Sequence, residues 1–310
     1  MKTQKFAALA IALTLVLGAC AQKTKTTNGE ITSSPSAGAG PSAGASPKPR
    51  ASGTATVGAQ PSSTQIGATP KPGSSTTSAP LPTKGSPLAP NALKPIAPGT
   101  YTYDESGNRS QGGCGQDGPP PTPTTLQVSP ADGNRQQSVR DRGYSSGGLK
   151  ITTILEYRPE GIFLIYLKQQ QNFLGTDIVS EFQPADPPMV APADPKAGQV
   201  WNWSMTSKDG KLTVTNHNTI NSTTETTSLG DNSQISTVKS TRNTTIDGKV
   251  TVQGADQDVH LKEDATAWGS TAKSLIVRQE THQYGTVTVL GSACNINNNI
   301  TELLKSTTPA

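Results

Sequence analysis

Lys211-Leu-Thr-Val-Thr-Asn-His-Asn-Thr-Ile220 alternates its side chains with a period of two. A strand turns successive side chains to opposite faces, whereas an amphipathic helix needs a period near 3.6. The alternation is the strongest constraint on the fold because it recurs. Ile235–Ile246 is rich in β-branched residues, and Leu149–Tyr157, Ile162–Leu167, Val259–Trp268, Leu275–Tyr284 and Thr286–Leu290 are further strand-like runs. Many of them set Thr, Ser or Asn on one face and aliphatic residues on the other, the pattern of a sheet buried on one side and wet on the other.

Turn residues punctuate these runs. Asp247-Gly248 lies between two β-branched segments and predicts a two-residue hairpin. Asp209-Gly210 and Gly230-Asp231-Asn232 predict similar turns, and Pro159-Glu160-Gly161 turns Ile154–Arg158 onto Ile162–Leu167. Successive hairpins give an antiparallel meander. Pro184–Pro195 holds five prolines, which cannot donate to a ladder, and predicts a long loop or flap across one end. Asn299–Lys305 and Asp177–Phe182 are short candidates for a helical turn or two; no segment predicts a long amphipathic helix. The expected fold class is all-β with at most minor α: a curved antiparallel meander sheet, half-barrel or barrel-like.

The pattern begins abruptly. Residues 21–98 hold 13 of the 25 prolines and no aromatic residue, while 99–310 hold 12 of the 13 aromatics and all three tryptophans. A Pro/Ser/Thr/Ala/Gly segment of this kind has too little apolar surface to offset its ordering entropy, so 20–98 predicts a disordered, semi-extended linker. Its Ser/Thr and Pro content also suits O-glycosylation. The net charge is +6 over 21–98 and −4 over 99–310. The basic pI therefore belongs to the leader and linker, and a nucleic-acid partner is not expected.

Lys2 and Lys5 precede an uncharged, mostly apolar run, Phe6–Leu17, which is too short to span a bilayer as a helix. Its length and flanks fit a signal peptide over 1–19. The run ends in Leu17-Gly18-Ala19-Cys20, which resembles the lipobox of bacterial lipoproteins at all four positions. That resemblance implies cleavage before Cys20, diacylglycerol and acyl chains such as palmitate on its thiol, and a location on the extracytoplasmic face of the cell membrane. Several acyl chains anchor stably, at about 0.8 kcal/mol per buried CH₂. The alternative is an ordinary signal peptide with an incidental cysteine. The basic linker either spaces the domain away from the membrane or is drawn to anionic headgroups.

After processing, Cys114 and Cys294 remain, the first in a Gly-rich loop after the first strand and the second in the last strand-like region. First and last strands often neighbour each other in a curled sheet, and export permits oxidation, so a disulfide between them is expected, with two free thiols as the alternative. Closing a loop of about 180 residues contributes roughly 4–5 kcal/mol in the entropic model. Other motifs lack their required setting. Gly143-Tyr-Ser-Ser-Gly147 matches a hydrolase nucleophile elbow, but a β run follows where a helix should begin. Gly113-Cys-Gly-Gln-Asp-Gly118 matches a dinucleotide fingerprint, but three prolines follow it. His217, His260 and His282 lie in separate runs without close zinc spacing, and read as solvated strand positions. Asp256, Asp258, Glu263 and Asp264 lack the glycine and terminal glutamate of a calcium loop, and read as a hydrated acidic turn. Trp201 and Trp203 share one face of a strand; such a pair more often fills a core than stacks on a sugar or lines a lipid cavity.

Gly99-Thr-Tyr-Thr-Tyr103, Gly198-Gln-Val-Trp-Asn-Trp203, Thr266-Ala-Trp268 and Leu303-Leu-Lys-Ser-Thr-Thr-Pro309 give the single domain expected over 99–310 an order that resembles uncharacterised actinobacterial lipoproteins. More distantly it is similar to the half-barrel lipoproteins of the LolA and LppX type. The resemblance implies a curved sheet around an apolar cavity holding acyl chains, although the helices that plug such half-barrels are not evident here. The expected function is thus non-enzymatic binding of a lipid or other hydrophobic ligand, with no cofactor, metal or catalytic residue. The alternative is a cell-envelope structural or protein-interaction module with a filled core.

Overall fold

The period-two pattern becomes sheet along nearly its whole length. The computed structural model describes residues 81–310 apart from 113–116, 121–122, 144–147, 174–175 and 290. Among the described residues there are thirteen strands and no helix. They are β1 (Gly99–Ser110), β2 (Thr124–Val128), β3 (Arg135–Arg142), β4 (Leu149–Arg158), β5 (Gly161–Phe173), β6 (Thr176–Phe182) and β7 (Met189–Pro192). Then follow β8 (Val200–Thr206), β9 (Leu212–Ser228), β10 (Gln234–Val252), β11 (Ala255–Ser270), β12 (Leu275–Val289) and β13 (Ser292–Leu304).

All thirteen belong to one antiparallel sheet, in the order β6-β5-β4-β3-β2-β1-β13-β12-β11-β10-β9-β8, with β7 beside β5. Two meanders thus run outward from a central pair of the first and last strands, whose register sets Tyr103 opposite Leu304 and Ser110 opposite Asn297. The arm β8–β13 is long; β10 alone has 19 residues, about 60 Å of strand. A sheet this large must curl to bury its apolar face. Register shifts at Ile154/Leu155, Thr237/Lys239/Ser240 and Trp268/Gly269 supply local bends. The sheet stays open, but its edges approach: β6 packs near β10, and Lys208 N, in the β8–β9 turn, donates to the Glu181 carbonyl of β6 at 2.7 Å.

Side chains from both arms fill the space this curl creates. One apolar cluster joins Leu155, Leu164 and Phe182 of the short arm to Val214, Ile246 and Val259 of the long arm. A second, around Tyr101, Tyr103, Val277 and Leu304, closes the end where β1 begins. Each fully buried side chain of this size contributes about 1.5–3 kcal/mol.

Several expectations are corrected. Asp247-Gly248 does not turn: β10 runs through it to Val252, and the hairpin is made by Gln253 and Gly254, both at positive φ (50° and 82°), the type I′ geometry. Leu275–Tyr284 and Thr286–Leu290 belong to one strand, β12, as far as Val289; Leu290 lies outside the described residues. The candidate helical turns at Asp177–Phe182 and Asn299–Lys305 lie in β6 and β13, because Ile178 and Phe182, and Ile300, Glu302 and Leu304, all fall on the buried face. Part of the proline-rich flap is strand: β7 takes over beside β5 where β6 ends, with Pro192 at the sheet edge where its missing N–H costs nothing. The stretch 81–98, expected to be linker, belongs to the packed unit. Ile96 is buried, its N–H donates to Gln136 Oε1 at 2.8 Å, and Gln136 Nε2 donates back to the Ile96 carbonyl at 2.7 Å. Ser274 Oγ donates to the Lys94 carbonyl, so this strap links the β11–β12 turn to β3.

Candidate functional site

Alternation fixes which residues share the inner face, and the cross-strand register aligns them into rows. One row runs Arg109, Asn298, Gln283, Glu263, Thr244, Asn216 and ends on Trp203. A second polar row begins Glu105, Glu302, Gln279, with the row of Gly107, Ile300, Thr281 and Ala265 between the two. These polar rows separate the two apolar clusters, and they contain the molecule's most concentrated chemistry.

Glu302 lies at its centre. Arg140 Nη1 donates to Glu302 Oε1 at 2.6 Å and Arg142 Nη2 to Oε2 at 2.5 Å. Arg142 Nε lies 3.3 Å from Glu105 Oε1, which also accepts from Thr124 Oγ1 at 2.5 Å. Arg242 Nη2 donates to Glu263 Oε1 at 2.7 Å. The Arg140 guanidinium stands over the Tyr103 ring, 4.5 Å from its centroid, and the Tyr103 hydroxyl donates to the Ile276 carbonyl.

Burial sets the electrostatics. Burial alone would raise the Glu302 carboxyl, but Arg142 and then Arg140 outweigh it and hold its pKa at about 2. Burial raises Glu105, with Arg142 opposing and the Glu302 charge adding to the rise. Burial likewise raises Glu263, against Arg242. Burial pushes the Tyr103 hydroxyl up to about 12. The side chains of Glu302, Arg140 and Arg142 are at most 4% exposed and that of Glu263 is at 0%. A substrate reaches none of them without opening the sheet, so the cluster acts as an internal polar layer that fixes how the two arms meet.

Glu302 is depressed in the fold, so its stabilisation is complete above the ordinary carboxylate value of 4.5 and is lost as pH falls from there through about 2. Glu105 and Glu263 are raised, so each costs stability as pH rises past 4.5 and relieves that cost as pH falls. Glu302→Gln is therefore expected to flatten the acid limb of a urea-midpoint profile below pH 4.5. An unchanged acid limb in that variant would place the acid sensitivity elsewhere.

The outer face differs throughout. Its rows carry Thr, Asn, His and paired charges. A shallow groove of about 400 Å³ crosses β10–β13 between two such rows, walled by Asn243, Asp264, His282, Thr266 and Glu280 and floored by the backbone of Thr281 and Ala265. The His282 and Tyr284 rings stack beside it at 4.8 Å.

Cys20 and Cys114 lie outside the described residues. Cys294 is buried in β13 and is disulfide-bonded. Gly112 approaches Asn295 so closely that an added Cβ would stand 2.7 Å from its nitrogen, which brings the chain just before Cys114 alongside β13. The elbow-like residues 144–147 and the fingerprint residues 113–116 also lie outside the described residues. His217, His260 and His282 occupy exposed outer positions, partnered by Asn202, Asp247 and Asn297. Among the described residues no group of three His, Cys, Asp or Glu could hold a metal. Trp201 and Trp203 are half-buried against the larger apolar cluster. The supposed acidic turn is strand β11, in which Asp256 and Asp258 pair with Lys211 and Lys249 while Glu263 is wholly buried. Sequence reasoning missed Glu105, Arg140, Arg142 and Glu302. The available signal was phase: Glu105 alternates with Tyr101 and Tyr103, and Glu302 with Ile300 and Leu304. No protein-family model matches the chain, and neither does any curated protein or solved structure.

Proposed function

We propose that this chain is an exported lipoprotein, held to the membrane through a lipid on Cys20, whose β domain is a non-enzymatic display module of the cell envelope. The spacer up to residue 80 tethers the domain, and the polar outer face of β9–β13 meets an envelope partner. The observation that carries this reading is the occupied interior. Leu164, Val214, Ile220, Ile246 and Val259 are each at 0% exposure, and a charged layer crosses the middle. A lipid carrier needs a concave face whose apolar side chains wait half-exposed for acyl chains, and these are already covered by one another. The interaction module is therefore favoured over the acyl-chain carrier.

Two measurements test it together. Metabolic labelling with a fatty acid is expected to tag the wild-type chain and not Cys20→Ala; an unlabelled wild type would remove the anchor. Native mass spectrometry of the full chain after incubation with envelope lipid extract is expected to find no non-covalent lipid. A retained acyl ligand would restore the carrier.

A further inference from the structure

Strand β8 forms one edge of the sheet, and among the described strands it pairs with β9 alone. In an antiparallel ladder alternate residues turn both backbone groups to the same neighbour. Ser207 N donates to the Leu212 carbonyl and Ile220 N to the Gln199 carbonyl, which sets the phase. Trp201, Trp203 and Met205 therefore direct their backbone groups to β9. Val200, Asn202, Ser204 and Thr206 direct theirs away from the sheet.

Exposed edges are usually blunted by charge, proline, bulges or brevity. The opposite edge is. β6 stops at Phe182, prolines 184, 187 and 188 follow, β7 is four residues ending at Pro192, and the Glu181 carbonyl is already taken by Lys208. β8 has none of these devices. Val200-Trp-Asn-Trp-Ser-Met-Thr206 contains no charge and no proline, and its register with β9 is unbroken. Val200 is 51% exposed, and Trp201 and Trp203 are only partly covered by the core they pack against.

We propose that β8 is a self-association edge, through which two copies of this chain pair antiparallel about a two-fold axis at Trp203. The phase permits it. Asn202 then faces Ser204 of the second copy and Val200 faces its Thr206, so every outward N–H meets a carbonyl. Trp203 lies beside its own symmetry mate, and Trp201 faces Met205 of the second copy, which extends the apolar cluster across the junction. An uncharged strand carries no like-charge repulsion against its own copy, and the lysine just beyond it, Lys208, is engaged by Glu181. This edge is separate from the outer face invoked above, so either idea can fail alone.

Sedimentation equilibrium of the full chain in density-matched detergent tests it. A protein concentration of about 100 µM suits an interface at the small, transient end, under about 1,200 Å². The wild type is expected to be dimeric. Asn202→Lys with Ser204→Lys sets lysines opposite each other twice and is expected to weaken the dimer at least about tenfold. Asn202→Glu with Ser204→Lys sets opposite charges there and is expected to restore it. All these side chains are exposed on the outer face, so the unfolding midpoint checks that the fold is kept. Should the charged variants lose the fold, Asn202→Cys with Ser204→Cys should crosslink between copies through a short bismaleimide, while Asn243→Cys, on the same face but remote from the edge, should not. A monomeric wild type, a dimer untouched by paired lysines, or equal crosslinking at both places overturns the proposal.

Discussion

Glu302→Leu is expected to lower the unfolding free energy by about 3–5 kcal/mol, the cost of leaving buried charge without its partner. The residue serves two arginines at once, Arg140 at 2.6 Å and Arg142 at 2.5 Å, and their side chains are each 4% exposed. Removing it leaves both guanidiniums in the interior with Glu105 as the nearest counter-charge to Arg142. The loss also reaches Glu105, because the Glu302 charge is among the causes that raise its pKa. In the variant Glu105 should titrate at lower pH. Replacing the whole group, with Glu105→Leu, Arg109→Met, Arg140→Met, Arg142→Met and Glu302→Leu together, should cost less than Glu302→Leu alone, since Arg109 pairs with Glu105 and an apolar layer needs no internal neutralisation. Denaturant unfolding of the two variants decides it. A single substitution costing under about 1 kcal/mol would mean that water or backbone movement compensates these charges.

That layer also marks the limit of what the linear pattern could disclose. Period-two alternation is a local property, and it located β4, β5 and β9 to β12 because the inner and outer positions of those strands differ in chemistry. Val259–Trp268 and Leu149–Tyr157 were legible for this reason, and both lie inside observed strands. β2 and β3 were not. Arg135–Arg142 places Gln136, Arg140 and Arg142 on its buried side, so its alternation is polar against polar and carries no hydropathy signal. β13 was obscured similarly. Asn298 and Glu302 occupy inner positions among Ile296, Ile300 and Leu304, and Glu-Leu-Leu-Lys favours a helix locally. Pairing with β1 on one side and β12 on the other overrides that preference. The ionic cluster draws on β1, β3, β10, β11 and β13, and no single segment contains it. It was foreseeable only as charges standing in phase with apolar residues, a sign whose meaning depends on partners far along the chain.

The boundary of the packed unit was displaced for a related reason. Residues 81–98 have the composition of a linker, with five prolines and no aromatic side chain. What holds them is specific rather than compositional. Gln136 closes two hydrogen bonds on the backbone of Ile96, and Arg135 Nη1 donates to the Lys84 carbonyl at 2.9 Å. Polyproline-like chain loses little entropy on docking, because proline already restricts it. A few well-placed side-chain bonds are then enough to fix it to the sheet.

The misplaced hairpin yields the second large effect. Gly248→Ala is expected to destabilise by about 2–4 kcal/mol, combining strain at a backbone conformation that L-residues avoid with loss of a ladder hydrogen bond. Gly248 has φ +133°, and an added Cβ would stand 2.1 Å from the Lys211 carbonyl oxygen. That oxygen accepts from Lys249 N at 2.9 Å, so the clash pushes β9 from β10 at the start of their ladder. Gly254, in the actual turn, has φ +82° and no atom within 4 Å of such a Cβ. Gly254→Ala should therefore cost only the backbone term, about 1 kcal/mol. A turn at Asp247-Gly248 would give Gly248 the smaller, open-turn penalty. Equal costs at 248 and 254, measured by urea unfolding, would mean that β10 does not run straight past residue 248. The sequence Asp-Gly is thus explained by close approach rather than by reversal: the glycine is there because a neighbouring strand's carbonyl occupies the place of a side chain.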